Sequence, residues 1–171
     1  MNSMVRKIAS TRGPARGQQG RPACAMVMGL GASLVLGLSA CGDGAKIVPT
    51  SATASSSAPA SSPKFAFDYD VTTVWNAGNY APSWIQLDLG KPVTISRVRL
   101  NVAQDPPGPT THTISGGPTP DSLTPIGTLD GNTTDDQWLE LNQPANNVRY
   151  VKIETLKTTS WVAWKEIEIY R

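Results

Sequence analysis

Residues 84–102 read WIQLDLGKPVTISRVRLNV, and this stretch decides the fold class. Apolar and polar side chains alternate along residues 84–89, the Gly-Lys-Pro of residues 90–92 interrupts the pattern, and the alternation resumes over residues 93–102. A period of two residues is typical of a β-strand that buries one face. The stretch therefore predicts two strands separated by a break.

The rest of the second half of the chain repeats this pattern at intervals of about ten residues. Runs of β-branched and aromatic residues alternate with Pro, Gly and Asp, and no segment keeps a helical period long enough for a core helix. Strands are predicted at residues 112–114, 123–129, 137–141, 148–155 and 164–170, with a loop over 104–111 and turns at 116–118 and 130–131. Many short strands with Pro and Gly between them indicate an all-β sandwich or jelly roll.

The charges divide the chain into two unlike parts. Residues 1–40 hold five basic and no acidic residues, whereas residues 41–171 hold ten basic and thirteen acidic residues, a net charge of −3. Nucleic-acid binding requires a surplus of positive charge on the folded domain. The second part has no such surplus, which excludes this class of function.

An apolar segment follows the basic residues and predicts export. Residues 22–40 carry no charge after Arg21 and end in Leu-Ser-Ala immediately before Cys41. Basic residues, an apolar core and small residues before a cleavage point are typical of a secretory signal. Residues 38–41, Leu-Ser-Ala-Cys, resemble the bacterial lipobox. In a lipobox the cysteine, here Cys41, becomes diacylated and is the new N-terminus. An uncleaved transmembrane helix is the alternative, because the segment approaches the necessary length.

The cysteines agree with a lipoprotein. Cys24 and Cys41 are the only two, and the first would be removed with the signal while the second carries lipid. The exported domain would then contain no disulfide. Two acyl chains anchor a protein firmly, so we expect contact with the membrane through the lipid alone, in the bacterial cell envelope.

A family resemblance begins at residues 66–75, which read AFDYDVTTVW. This string resembles the Ala-x-Asp-Gly-Asp-x-x-Thr-x-Trp signature of discoidin domains, also called F5/8 type C domains, which include the family-32 carbohydrate-binding modules. Residues 84–90, 148–153 and 166–170 match further segments in the family's order and spacing. Tyr69 stands where the family usually has Gly.

The resemblance implies an eight-stranded antiparallel jelly-roll β-sandwich. Residues 42–64 are rich in Ser, Ala, Thr and Pro, and composition alone predicts a flexible linker there. The resemblance instead makes residues 50–57 the first strand. The predicted organisation is a cleaved signal peptide over 1–40, a lipidated tether over 41–46 and a discoidin-like domain over 47–171.

A structural calcium ion is the first site hypothesis. Asp68 and Asp70 stand two residues apart, and paired carboxylates repel one another without a cation. Calcium prefers carboxylate and carbonyl oxygens on tight turns. Resemblance to family-32 modules and to the N-terminal domain of galactose oxidase implies the following ligands: the side chains of Asp68, Asp70, Thr73 and Glu166, and the backbone carbonyls of Phe65 and Lys165. A metal-free Asx-turn at Asp68 is the alternative.

A carbohydrate site on the loops is the second hypothesis. Trp161 follows the polar residues 157–160 just before the last strand, where family-32 modules often place an aromatic side chain that stacks on a sugar. His112, Asn76, Tyr80 and Lys157 are the candidate polar partners, with a structural role for His112 as an equal alternative. Five other aromatic residues are expected in the core, namely Trp75, Trp84, Tyr150, Trp164 and Tyr170.

The residues favour a binding protein over an enzyme. The region after Cys41 has one His and no further Cys, and it contains none of the usual nucleophile, zinc, phosphate or dinucleotide motifs. Carboxylates for glycosidase chemistry exist at Asp135, Asp136 and Glu140, but a solvated turn explains them better. The prediction is a non-catalytic carbohydrate-binding lipoprotein. The alternative is an adhesion or assembly protein whose discoidin domain binds a protein partner, favoured if Pro106, Pro107, Trp138 and Trp161 form one flat apolar patch.

Overall fold

The computed structural model describes residues 44–171, so the predicted signal peptide and the lipidation site at Cys41 lie outside the described residues. Ten β-strands and one short 3₁₀ helix make up this part of the chain. They are β1 (Lys46–Ile47), β2 (Ser51–Ala54), the 3₁₀ helix (Pro63–Ala66), β3 (Trp75–Asn76), β4 (Ser83–Ile95), β5 (Arg97–Val102), β6 (Gly108–Thr119), β7 (Ser122–Thr133), β8 (Trp138–Leu141), β9 (Ala145–Lys157) and β10 (Ala163–Tyr170).

The strands form two antiparallel five-stranded sheets. One sheet has the order β1-β10-β5-β8, with β3 also paired to β10, and the other has the order β2-β4-β9-β6-β7. Strands that are adjacent in a sheet are often distant in sequence, as when β4 pairs with β9 and β10 pairs with β5. This arrangement confirms the predicted all-β sandwich.

The alternation in residues 84–102 places one face of each sheet in the core. On β4 the side chains of Ile85, Leu87 and Leu89 are buried while their neighbours are partly exposed. On β5, in the other sheet, the side chains of Val98 and Leu100 are also buried, because side chains two residues apart share a face. The two apolar faces pack together and form a single cluster of buried residues.

Three local predictions were wrong. The region 104–111 is a loop only as far as Pro107, because β6 already begins at Gly108 and pairs with β7. The β6 strand also continues past residues 116–118 to Thr119. Asp130 and Gly131 do not form a turn but pair with Thr111 and Thr110 within β7.

The composition of residues 42–64 also predicted the wrong structure over part of that range. Ser51–Ala54 pairs with β4, as the family resemblance implied, despite its Ser- and Ala-rich sequence. Ladder hydrogen bonds and the edge position of β2 allow small residues there. The strand count exceeds the predicted eight because β1 and β3 are short two-residue pairings with β10.

Within residues 44–171 no helix has the length and apolar character needed to cross a membrane.

Replacement of Gly117 tests the close approach at the β6–β7 hairpin. A Cβ atom at this position would lie 1.9 Å from the backbone carbonyl oxygen of Ser122, so the backbone would have to move. We expect Gly117→Ala to lower the free energy of unfolding in urea by about 1–3 kcal/mol. Thr119→Ala, an exposed position on the same strand, should change it by less than about 0.5 kcal/mol. Equal values for the two variants would contradict this description of the hairpin.

Candidate functional site

A shallow pocket of about 380 Å³ lies at the loop end beside β10, and Trp161 and Tyr80 are its exposed aromatic residues. The Trp161 side chain is 47% exposed and that of Tyr80 is 60% exposed, although both are large and aromatic. Three of the five predicted ligand-binding residues, Trp161, Tyr80 and Asn76, therefore meet here. The full lining is Val74, Asn76, Tyr80, Ala103, Asp105, Pro106, Thr159, Ser160, Trp161 and Ala163. We call this the Trp161 pocket.

Backbone hydrogen bonds hold residues 158–162, which we call the Trp161 loop, against residues 77–82, the loop that follows β3. The Val162 N–H donates to the carbonyl oxygen of Asn79 at 2.9 Å, and the Ala77 N–H donates to the carbonyl oxygen of Val162 at 2.8 Å. Because Val162 is both donor and acceptor, the residue next to Trp161 is fixed on both sides. Trp161 and Tyr80 are therefore presented by two loops that are bonded to each other.

A second set of bonds ties the Trp161 loop to the residues before β6. The Thr159 hydroxyl donates to the carbonyl oxygen of Pro106 at 3.0 Å and accepts from the Gln104 side-chain amide at 3.1 Å. Gln104 is itself buried, and its amide oxygen accepts from Thr133 at 2.9 Å. The pocket wall is thus built on a buried polar network, which favours a preformed site.

The chemistry of the Trp161 pocket is that of an aromatic platform with a polar wall. Asp105 and Ser160 offer a carboxylate and a hydroxyl, and the amide oxygen of Asn76 already accepts from the Gly78 N–H at 2.7 Å. An exposed indole face with nearby donors and acceptors can hold a ligand that is apolar on one face and polar at its edge. Asp105 was not predicted, since the sequence marked its segment only as a Pro-rich loop.

The structure corrects the predicted role of His112. The loop before it is shorter than expected, so His112 lies well inside β6 with a side chain that is 3% exposed. Its Nδ1 is 3.0 Å from the Thr155 hydroxyl, and its ring meets the buried ring of Trp164 edge-on at 4.8 Å. Burial lowers the pKa of His112 to about 4. It packs in the core and cannot be reached by a ligand in the pocket.

Lys157 is also absent from the Trp161 pocket. It is the last residue of β9, where it is exposed and pairs with Thr111. Trp164, by contrast, is 1% exposed and packed in the core as predicted. A tiny cavity of about 10 Å³ is lined by Trp161, Trp164 and His112 together. His112 therefore supports the Trp161 loop from below.

Three of the predicted calcium-binding residues, Phe65, Asp68 and Asp70, have an oxygen close to the hydroxyl of a fourth, Thr73. Its Oγ1 lies 3.0 and 3.1 Å from the two carboxylate oxygens of Asp68. It lies 2.9 Å from the carbonyl oxygen of Asp70 and 3.4 Å from that of Phe65. Four oxygen-bearing groups from one short segment thus converge.

Asp70 takes a different part from the one predicted. Its carboxylate accepts from the backbone N–H of Thr72 at 2.9 Å and from the Thr72 hydroxyl at 2.6 Å, and these bonds lower its pKa. The carboxylate therefore closes a local turn, and the backbone carbonyl is the group that reaches Thr73. The sequence could not distinguish these two uses of the same residue.

Glu166 brings a second carboxylate to residues 65–73, which we call the Asp68 segment. Its side chain is buried at 2% exposure, and its Oε2 accepts from the Tyr69 N–H at 3.1 Å. The pKa of Glu166 is raised to about 7, mainly by burial and to a smaller extent by the nearby Asp68, while Lys46, whose Nζ is 3.7 Å away, opposes the shift. A buried carboxyl beside another carboxylate is the environment that a bound cation would stabilise.

Lys165 sits at an irregularity of β10 that sets the direction of Glu166. The register between β10 and β5 shifts between Trp164 and Glu166, so Lys165 has no partner residue in β5. Such a bulge re-aims the neighbouring side chains. The Lys165 ammonium bonds to Asp135 and Asp136 at 2.9 and 2.5 Å, which leaves only its backbone carbonyl for the predicted role.

The residues present fit a hard cation. Two carboxylates, a hydroxyl and backbone carbonyls are oxygen donors of the kind calcium binds. Among the described residues, no group of three or more His, Cys, Asp or Glu side chains is placed to hold a metal ion. The calcium ion itself stays a prediction.

Comparison with known families identifies the fold. The model of the F5/8 type C domain matches residues 51–168, which is more than two thirds of the chain. The chain belongs to the F5/8 type C domain family. This confirms the resemblance that the sequence of residues 66–75 suggested, and it extends the family match across both sheets.

Solved structures of carbohydrate-binding modules share the fold of this F5/8 type C domain. The family-32 module of AlyQ in complex with 4,5-unsaturated mannuronic acid superposes with a TM-score of 0.64 at 23% identity, covering 74% of this chain and 98% of that one. Chitosan-binding module 1 from the chitosanase/glucanase of Paenibacillus sp. IK-5 gives 0.61 at 25% identity, covering 73% and 97%.

A truncated AlyQ that contains both the family-32 module and an alginate lyase domain gives a TM-score of 0.64 at 24% identity over 74% of this chain. The F5/8 type C domain spans about a third (33%) of that protein. No curated protein sequence matches this chain.

The titration of Glu166 gives a testable pH dependence for the F5/8 type C domain without calcium. Its pKa is about 7 in the folded state against 4.5 ordinarily, so the folded state binds the proton more tightly. The contribution of this carboxyl to stability is therefore full below about pH 4.5 and falls as the pH rises to 7, by roughly 3 kcal/mol. The free energy of unfolding of Glu166→Gln, relative to that of the wild type, should therefore rise by about this amount between pH 4.5 and 7. Urea unfolding of both proteins in the presence of chelator measures this difference.

The comparison with the variant is necessary because His112 acts in the opposite direction. Its lowered pKa means that its contribution is full above about pH 6.5 and is lost as the pH falls toward 4. The two effects oppose each other in the wild type, but the difference between wild type and Glu166→Gln cancels the His112 contribution. A difference that stays constant from pH 4.5 to 7.5 would contradict the proposed environment of Glu166.

Proposed function

We propose that this protein is a non-catalytic carbohydrate-binding module that holds a sugar ring in the Trp161 pocket. The observation that carries this proposal is an exposed Trp161 and Tyr80 on two loops that are hydrogen-bonded to each other, with polar groups around them. Sugar rings have an apolar C–H face and hydroxyls at the edge, and this pocket presents the complement of both.

The structural relatives support the ligand class but not the particular sugar. One is a module in complex with an unsaturated mannuronic acid and another is a chitosan-binding module. These two sugars differ in charge, so a common fold does not determine which sugar is bound. The carboxylate of Asp105 in the wall of the Trp161 pocket favours a ligand without its own negative charge there.

The position of Trp138 argues against the protein-binding alternative. A flat apolar patch would need Trp138 beside Trp161, but Trp138 lines a different pocket next to Asp130 and carries the Arg99 guanidinium on its ring at 4.3 Å. Of the other predicted patch residues, only Pro106 shares the Trp161 pocket, where Asp105, Thr159 and other polar groups also lie. The apolar area around Trp161 is small, which suits a sugar better than a protein.

The carboxylates considered for glycosidase chemistry are engaged elsewhere. Hydrogen bonding to Lys165 lowers the pKa of Asp135, whereas a general acid needs a raised pKa. Glu140 on β8 lies 3.4 Å from the guanidinium of Arg99, its partner residue on β5. These contacts support a non-catalytic role.

The proposal includes a structural calcium ion at the Asp68 segment and a lipid anchor at Cys41. Calcium would neutralise Asp68 and Glu166 and join the loop after the 3₁₀ helix to β10, in a domain that has no cysteine after Cys41. The lipid anchor follows from the lipobox-like residues before Cys41. It would hold the domain at the bacterial cell envelope, where polysaccharides are available ligands.

A thermal melt tests the calcium ion with a matched pair of variants. At a calcium concentration 100 times the dissociation constant, binding should add about 2.7 kcal/mol to the free energy of unfolding, so the melting temperature should rise by several degrees and fall with chelator. Asp68→Asn should abolish this response, whereas Asp70→Asn should keep it because Asp70 reaches the site through its backbone. A wild-type melt that is indifferent to calcium and chelator would refute the proposal.

A glycan array tests the carbohydrate function directly. The wild type with calcium should bind a subset of glycans, and Trp161→Ala should weaken that binding at least tenfold because it removes the platform, a loss of about 1.4 kcal/mol or more. Trp138→Ala is the matched control, since it removes an aromatic side chain outside the Trp161 pocket. Equal losses for both variants, or an array with no binding by folded wild type, would contradict the proposal.

A further inference from the structure

A second concave surface lies away from the Trp161 pocket and shares none of its lining residues. Its volume is about 660 Å³, larger than that of the Trp161 pocket. Three segments form it: residues 48–52 around β2, residues 62–64 at the start of the 3₁₀ helix, and residues 67–69. We call it the Tyr69 depression, because Tyr69 is its exposed aromatic residue.

Tyr69 has a backbone conformation that an aromatic residue rarely adopts. Its φ is 69°, in the left-handed region that glycine adopts without cost. For other L-residues this conformation costs roughly 1–2 kcal/mol. The Tyr69 side chain is 55% exposed, so its burial does not offset that cost. Strained residues with exposed aromatic rings are candidates for ligand contacts.

The Tyr69 ring is held in place by its neighbours. The Lys46 ammonium lies 3.9 Å from the ring centroid and is fixed by a 2.9 Å bond to Glu168. The Tyr69 N–H bonds to the buried Glu166. Lys46 does not line the Tyr69 depression, so the ring is supported by Lys46 while it borders the open space. An aromatic ring that is already fixed loses little entropy when a ligand stacks on it.

The rim of the Tyr69 depression combines hydroxyl groups with a cation. Thr50, Ser51 and Ser62 contribute hydroxyls, Lys64 contributes an ammonium group and Asp68 contributes a carboxylate. The Asp68 carboxylate is already engaged, because it accepts from the Asp70 N–H at 3.0 Å and its two oxygens lie 3.0 and 3.1 Å from the Thr73 hydroxyl. Among the described residues the Lys64 ammonium has no acidic partner within ion-pair distance, so it is available to an anionic group. Hydroxyl groups, a free cation and an aromatic platform are together suited to an acidic sugar.

We propose that the Tyr69 depression is a second carbohydrate site, which takes a uronic-acid-bearing polysaccharide with a sugar ring on Tyr69 and its carboxylate on Lys64. This goes beyond the Trp161 pocket, and it does not depend on that pocket being functional. A long polymer that occupied both sites would bind more tightly than either site allows, because the second contact is intramolecular.

Affinity electrophoresis of the purified full chain in gels containing polygalacturonate tests the site. The measurement is made on a Trp161→Ala background, so that only the second site is read. We expect Trp161→Ala to be retarded by polygalacturonate but not by neutral hydroxyethylcellulose, and we expect the retardation to weaken with added salt. A Trp161→Ala protein that migrates freely in polygalacturonate would overturn the proposal.

Two substitutions at Tyr69 separate the aromatic platform from the backbone strain. Tyr69→Gly relieves the positive φ and should keep or raise the melting temperature, yet it should weaken polygalacturonate binding at least tenfold. Tyr69→Trp keeps a platform and should retain binding, and Lys64→Gln should remove the salt dependence. Unchanged retardation in Tyr69→Gly would refute the site, whereas failure of the Trp161 pocket would instead show as unchanged glycan-array binding in Trp161→Ala.

Discussion

The pairing of β10 is the constraint on which the rest of the structure depends. This strand pairs antiparallel with β1, β3 and β5, and so it joins the two ends of the described chain and the Trp75–Asn76 strand into one sheet. Ile167 and Ile169 bury its inner face in the core. Loss of this strand would leave β1 and β3 without a partner and would leave β5 paired only with β8.

Both candidate sites of the loop regions take their geometry from β10. Its first residue, Ala163, lines the Trp161 pocket, and the bulge after Trp164 turns Glu166 toward the Asp68 segment. One strand therefore contributes a residue of the Trp161 pocket wall and the buried carboxylate of Glu166. Burial of the Glu166 side chain raises its pKa, and its Oε2 accepts from the Tyr69 N–H at 3.1 Å.

The fold could be predicted from the sequence because its signals are local and repeated. Alternation over residues 84–102 requires one buried face, and the segment 66–75 carries the family signature. Residues 51–54 could not be predicted from composition, since their strand pairs along an edge and needs no large apolar side chain.

The sites were less predictable because they depend on where each side chain points. Trp161, Tyr80 and Asn76 meet because backbone bonds join two loops, which no spacing rule reveals. His112 had the residue type of a ligand, but the early start of β6 buries it under Trp161. Asp70 had the expected position, but its carboxylate bonds to Thr72 and only its carbonyl faces Thr73.

Stacking of a sugar on Trp161 would change the environment of its indole ring, which the indole N–H resonance reports in a two-dimensional NMR titration. The five Trp residues give separate probes within one molecule. With a glycan ligand, we expect a large, saturable shift for the Trp161 indole and little change for the buried Trp75 and Trp164. Shifts confined to Trp138 or Trp84, with Trp161 unmoved at saturation, would contradict it.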